Sequence, residues 1–183
     1  MPLNITEFFQ KARKFVPLFL IASVIIVLDQ WTKWLVRENI PFTGSWLPDG
    51  LQWLMPYARI VHWYNTGAAF GSFQGYGWVF TILAFLVAGL IVYYYPKVEP
   101  EDGWMRLAMS MQLAGALGNV IDRLTLGGKV TDFISVGTFP VFNVADSSIT
   151  LGVVLLLTGA WWKERTENQQ RMAQTTSAPT ETE

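Results

Sequence analysis

The sequence predicts an all-α membrane protein of four transmembrane helices, with a small sheet lying at the membrane surface. Three observations carry this. Of its 183 residues, 51% are hydrophobic and only 15% charged, and the mean hydropathy is +0.29; soluble domains of this size carry about a quarter charged residues. Several apolar runs are long enough to span a bilayer. Nine Trp are present, several near the ends of those runs, where interfacial anchors sit. A net charge of −1 gives no global field that points to nucleic acid. The absence of Cys removes disulfides, thiolate nucleophiles and thiolate metal sites, and the single His, His62, removes a His-rich metal site. No cofactor is expected.

The elements follow in order. Lys11, Arg13 and Lys14 precede the first span, about 15–36. That run is too long for the h-region of a cleaved signal peptide, and no small-residue cleavage site follows it. Near its far end, Asp29 and Lys33 lie four residues apart on one helical face. They read either as an ion pair closing the helix or as part of a site. Residues 37–76 are punctuated by Pro41, Gly44, Pro48, Gly50 and Pro56, and the runs 51–55 and 58–64 look strand-like. Asn65-Thr66-Gly67-Ala68-Ala69-Phe70-Gly71 reads as a tight turn entering the next helix, or as backbone that comes close to a ligand. The second span is about 77–95, stopped by Pro96. The third is about 104–121, with a stripe of Ser110, Ala114 and Gly118 suited to close helix packing. The fourth is about 146–162, short but possible with anchored ends. Residues 1–165 thus form one membrane-embedded domain and 166–183 a disordered polar tail. Basic residues flanking the first and fourth spans put both termini in the cytoplasm and residues 37–76 outside. Lys33, Arg37, Arg59, Arg123 and Lys129 run against that bias.

Between the third and fourth spans, the stretch 115–149 carries Asp122, Asp132 and Asp146. Carboxylates beside bilayer-grade sequence are costly and mark a functional site by default. Asn119 and Asp122 share a face at the outer end of the third span. Arg123 follows, able to pair with a carboxylate, a lipid phosphate or a substrate carbonyl. Asn143 and Asp146 repeat the spacing, where they also read as the N-cap and N3 acid of a helix. Asp132 lies in the alternating run Lys129-Val130-Thr131-Asp132-Phe133-Ile134. It reads as a surface strand residue, a partner of Lys129, or a desolvated acid whose pKa rises. Two such acids can share a proton, activate water and protonate a leaving amine. Asp122, flanked by Arg123 and Asn119, is the less natural member, but spacing leaves open which two meet. A Ser–Lys pair of Ser147 with Lys33 has no local motif behind it.

These motifs resemble one family, the lipoprotein signal peptidases of bacteria, or signal peptidase II. The matching blocks are Asp29-Gln30-Trp31-Thr32-Lys33, Asn65-Thr66-Gly67-Ala68-Ala69-Phe70, Gly118-Asn119-Val120-Ile121-Asp122-Arg123, Val130-Thr131-Asp132-Phe133 and Phe142-Asn143-Val144-Ala145-Asp146. They come in the family's order, span most of residues 29–150, and match at every polar position. The resemblance implies an aspartic endopeptidase of the inner membrane that removes the signal peptide of a prolipoprotein just before a diacylglyceryl-modified Cys. It places the catalytic pair on Asp132 and Asp146. Supporting residues fall on Asp29, Lys33, Asn65, Gly67, Asn119, Asp122, Arg123, Asn143 and Ala145. It also implies a periplasmic β-cradle and a short surface helix drawn from residues 37–76, a site at the outer face, and inhibition by globomycin-type compounds.

Two readings from other classes compete. A small ion or proton transporter would place its acids near mid-span, whereas here they cluster at span ends. A non-catalytic membrane assembly factor would use the same aspartates as caps and ion pairs.

Overall fold

The computed structural model describes residues 5–67 and 73–176. It is largely helical, with a small open sheet at one end. The helices are α1 (Ile5–Asn39), α2 (Gly77–Tyr94), α3 (Gly103–Thr125) and α4 (Val144–Thr176). The strands are β1 (Ser45–Trp46), β2 (Ala58–Asn65) and β3 (Val130–Val136), all antiparallel in the order β1-β2-β3.

Three helical stretches are long and apolar enough to cross a membrane: Ala12–Asn39, Gly77–Lys97 and Val144–Thr166. The protein is therefore a multi-pass membrane protein. The third run expected from the sequence does form a helix, α3, but it does not reach the apolarity of the other three. The reason lies in its position. α3 packs against α1, α2 and α4, so most of its surface meets protein. Elsewhere the usual distribution is reversed: Phe19, Val27, Phe85, Leu86, Val154 and Leu157 are exposed on the helix exteriors, where hydrocarbon is the natural solvent. Trp31, Trp78, Trp104 and Trp161 are exposed toward the helix ends, in keeping with interfacial anchoring.

Small residues allow α3 its central place. A Cβ on Gly115 would collide with the Ala145 carbonyl oxygen and the Ile149 side chain of α4. A Cβ on Gly118 would lie 2.8 Å from Asp29 Oδ2 and 3.2 Å from Ala145 Cβ. The stripe of Ser110, Ala114 and Gly118 is buried, as its spacing suggests.

One expectation needs correction. Residues 51–55 are not a strand: Asp49–Leu54 form a 3-10 helix, followed by a turn. Pro48 starts it, its carbonyl accepting from Leu51 N at 2.8 Å, and Gln52 Nε2 closes back onto Leu47 O at 3.0 Å. The short β1 takes the place beside β2 that such a strand would need. α4 runs on to Thr176, into the stretch read from the sequence as a polar tail; residues 177–183 lie outside the described residues.

One end of the bundle gathers the start of α1, the α2–α3 connection and Lys163 of α4. There Arg106 Nη2 donates to Lys14 O at 3.0 Å, and Lys163 lies 3.7 Å from Asp102, the N-cap of α3. The sheet and the acidic residues of the 115–149 stretch occupy the other end. We predict that Gly115→Val destabilises the protein by about 1–3 kcal/mol through overpacking of the α3–α4 seam. Thermal melting in detergent checks this; an unchanged melting temperature would show that the seam relaxes freely.

Candidate active site

The site is assembled where α1, α3, β3 and the start of α4 converge. Its foundation is a buried ion pair. Asp29 and Lys33 of α1, both fully buried, meet at 2.8 Å. Asp29 Oδ1 accepts from the backbone N of Ala145 at 2.9 Å, so a carboxylate from α1 caps the first turn of α4. An acid there is favoured by the helix dipole. Lys33 Nζ turns toward α3, donating to Asn119 Oδ1 at 3.0 Å and lying 3.5 Å from Asp122 Oδ2.

Asp122 fixes the strand. Its Oδ2 accepts from Thr131 N at 2.8 Å, and Arg37 sits 3.7 Å from its other oxygen. Arg37 also donates to Thr131 Oγ1 at 3.0 Å. The register of β3 is thereby pinned one residue before Asp132. β2 pairs with β3 through Trp63 opposite Asp132 and carries an irregularity between Ile60 and Trp63, a common device for re-aiming side chains. On the other side of β3, Phe142 bridges Ile134: its carbonyl accepts from Phe133 N and Ile134 N at 3.0 and 2.8 Å. That clamp delivers Asn143 to the strand.

Two asparagines then tie the acids together. Asn143 Nδ2 donates to Asp132 Oδ1 at 2.7 Å and to Asn119 Oδ1 at 3.1 Å. Asn119 Nδ2 donates to Asp146 Oδ1 at 2.7 Å. Asn143 and Asp146 also form a reciprocal capping box, with Asp146 N to Asn143 Oδ1 at 2.9 Å and Asn143 N to Asp146 Oδ2 at 3.3 Å. Capping and site membership are thus one arrangement. Asn65 reaches Asp132 from β2, and its Oδ1 accepts from Gly67 N at 2.9 Å; Ala68 to Gly71 of that motif lie outside the described residues. Burial, and then the charge of Asp146, push Asp132 up to about 7.

Of the three candidate acids, Asp132 and Asp146 share one hydrogen-bonded relay, whereas Asp122 faces Lys33, Arg37 and the backbone of Thr131. Asp132 is not a surface residue and is not the partner of Lys129, which lies 5.7 Å over the Tyr64 ring. Ser147 donates to Asn143 O, and Lys33 is held by carboxylates, so the two do not form a nucleophile–base pair. Arg123 lies 5.7 Å from the Phe80 ring, within the field of Asp146, Asp132 and Asp122. Three participants were not singled out as site residues from the sequence: Gln30, Arg37 and Thr131. Gln30 Nε2 bridges Asp29 Oδ2, Gly118 O and Asp122 Oδ1 at 3.1, 3.0 and 3.3 Å. Arg37 was detectable, because it follows Asp29 and Lys33 at four-residue spacing on one helical face.

The cluster holds four carboxylates, on Asp29, Asp122, Asp132 and Asp146, against three cations, on Lys33, Arg37 and Arg123. One proton retained by the acids makes it neutral, the state a buried site favours.

Comparison with known proteins agrees with this constellation. The family model described as signal peptidase (SPase) II matches residues 21–162. A lipoprotein signal peptidase of Shouchella clausii is 40% identical over 152 residues, covering 82% of this chain and 97% of its own length. That of Halalkalibacterium halodurans is 38% identical, covering 85% and 98%. That of Acinetobacter baumannii is 39% identical, covering 79% and 83%. Two solved bacterial membrane enzymes share the fold. One has a TM-score of 0.69 at 32% identity, covering 91% of this chain and 93% of that one. The other has 0.68 at 34%, covering 78% and 91%. With most of its length matched by the family model and by relatives at this identity, the chain belongs to the signal peptidase II family.

Proposed function

We propose that this chain is a membrane aspartic endopeptidase that removes signal peptides from prolipoproteins, with Asp132 and Asp146 as its catalytic pair. The observation that carries the assignment of the pair is the relay Asp132–Asn143–Asn119–Asp146, in which two buried carboxylates from separate elements are held by one amide network. The pair shares one proton. Its ionised member takes a proton from water as the oxygen attacks the scissile carbonyl, and its protonated member donates to the carbonyl oxygen. On collapse, a proton passes to the leaving amine. Asn65 and Arg123 border the pair and hold the substrate backbone, which is mostly positioning. Asp29, Lys33, Asp122, Asn119, Asn143, Gly67 and Ala145 keep the pair in place. The bond cleaved is the one before a diacylglyceryl-modified Cys, and a lipid-bearing substrate meets such a site within the membrane plane.

The topology we propose has α3 as a fourth crossing, shielded from lipid by its three neighbours, so that residues 1–165 form one membrane-embedded domain. The basic flanks of α1 and α4 lie in the cytoplasm of a bacterial inner-membrane protein. The sheet and the 3-10 helix at Asp49–Leu54 then form the periplasmic cradle and surface helix around the site. Globomycin-type inhibitors act at the same pair.

We expect Asp132→Asn and Asp146→Asn to lower kcat on a diacylglyceryl-modified lipobox peptide by about 10²–10⁴-fold without loss of fold. Asp122→Asn instead lowers the melting temperature and retains residual turnover. Parent-like cleavage by Asp132→Asn would remove the assignment.

The pH dependence follows from Asp132. Its folded-state pKa, about 7, lies above the ordinary carboxylate value. The folded state therefore binds the extra proton, and this stabilisation is complete below about pH 4 and lost as pH rises through about 7. Melting measured from pH 5 to 8 should show the parent losing stability relative to Asp132→Asn, and turnover should fall above about pH 7. A pH-independent difference between the two proteins would contradict the shared-proton scheme.

A further inference from the structure

We propose that the cavity between the start of α2 and the turn after α3 is a binding site for the phosphodiester headgroup of an anionic phospholipid. The cavity, about 520 Å3, is lined by Arg123 and Lys129 as its charged groups, and no carboxylate lines it among the described residues. Neither Asp132 nor Asp146 is part of its wall; Arg123, which borders the pair, also lines this cavity, while Lys129 belongs to the cavity alone.

Its lining has the chemistry of an anion site. Arg123 makes no hydrogen bond and no ion pair within 4.0 Å among the described residues; its near contact is the Phe80 ring at 5.7 Å. Among the described residues its guanidinium donors meet no acceptor, and the carboxylates of Asp146, Asp132 and Asp122 act on it only through space. Lys129 is exposed, and its near contact is likewise a ring, that of Tyr64, at 5.7 Å. Thr66 adds a hydroxyl to the wall; Thr81 also lines it but has no proton to offer an anion. Thr81 donates its proton to Gly77 O at 2.9 Å.

The walls are held in place. Gly127 and Gly128 turn the chain with φ of +62° and +88°, a region that favours glycine. Gly128 O presses on Gly77 so closely that a Cβ there would collide with it. The first turn of α2 carries no acidic residue and presents its positive dipole end beside the two cations.

The occupant is a lipid rather than a soluble phosphate because the remaining wall is apolar and borders the bilayer. Trp78, Ile82 and Leu124 line the cavity and are 63%, 51% and 65% exposed. α2 is one of the helices apolar enough to cross a membrane, so its first turn lies at a membrane boundary. Basic groups at that depth attract anionic headgroups. The proposal does not depend on the peptidase reading, since binding is measured without turnover.

The test uses the purified full chain in detergent micelles, titrated with phosphatidylglycerol or phosphatidylcholine and followed by native mass spectrometry. Phosphatidylglycerol should bind about tenfold more tightly than phosphatidylcholine, and Lys129→Glu should remove most of that preference without altering the melting temperature. Lys97→Glu makes the same charge change at an exposed position outside this cavity and should leave the preference intact. Equal binding of the two lipids would overturn the proposal, as would an equal loss in both variants, which would mean generic surface charge. Displacement of the lipid by soluble glycerol 1-phosphate at comparable concentration would overturn the lipid source in favour of a free phosphate site.

Discussion

The ion pair between Asp29 and Lys33 is the interaction on which the site depends. Two charges without solvent exposure are costly, and their mutual attraction alone does not offset the desolvation. Here every remaining valence is used. Asp29 takes the Ala145 amide and the Gln30 side chain; Lys33 takes Asn119 and lies beside Asp122. Removing either partner would leave an uncompensated charge and would also release a helix cap or an asparagine. The glycine at 118 belongs to the same arrangement, because a methyl there would stand 2.8 Å from Asp29 Oδ2.

The pair also explains why two elements far apart in sequence end in register. Asp29 caps α4 from α1, and Asp122 fastens β3 from α3. Each of these two acids therefore sets the position of a different backbone segment. Asp132 rides on the segment fastened by Asp122, and Asp146 on the segment capped by Asp29. Neither of those two is held by a cation; both are held by amides. Amide donors orient a carboxylate without neutralising it outright, which leaves a proton free to be exchanged. Under the proposed assignment, the division between cation-held and amide-held acids would be the distinction between support and chemistry within one cluster.

Much of this was legible in the sequence, and for identifiable reasons. The four helices and the strand at β2 follow from apolar run length and alternation. The Asn143–Asp146 spacing reads directly as a capping box. The acids could be picked out because charge beside bilayer-grade sequence is rare. Spacing alone could not choose between Asp122 and Asp132, because that choice depends on contacts from α1: Lys33 and Arg37 reach Asp122 across more than eighty residues of chain. Residues 51–55 look strand-like because they form a short, mostly apolar run, while the local Pro48-Asp49-Gly50 turn chemistry prevails. Thr131 gave no signal, since its role lies in its backbone N–H and a hydroxyl contact with α1.

The modest apolarity of α3 is a consequence of the same site. A helix that supplies Asn119, Asp122 and Arg123 to a polar cluster cannot also be uniformly apolar. It is tolerated because α1, α2 and α4 enclose it, and enclosure at that closeness requires Gly115, Gly118 and the small stripe. Enclosure in turn removes water from the acids, and burial is the largest cause of the raised Asp132 pKa. Burial of the strand favours the protonated form of Asp132, and the charge of Asp146 adds to it.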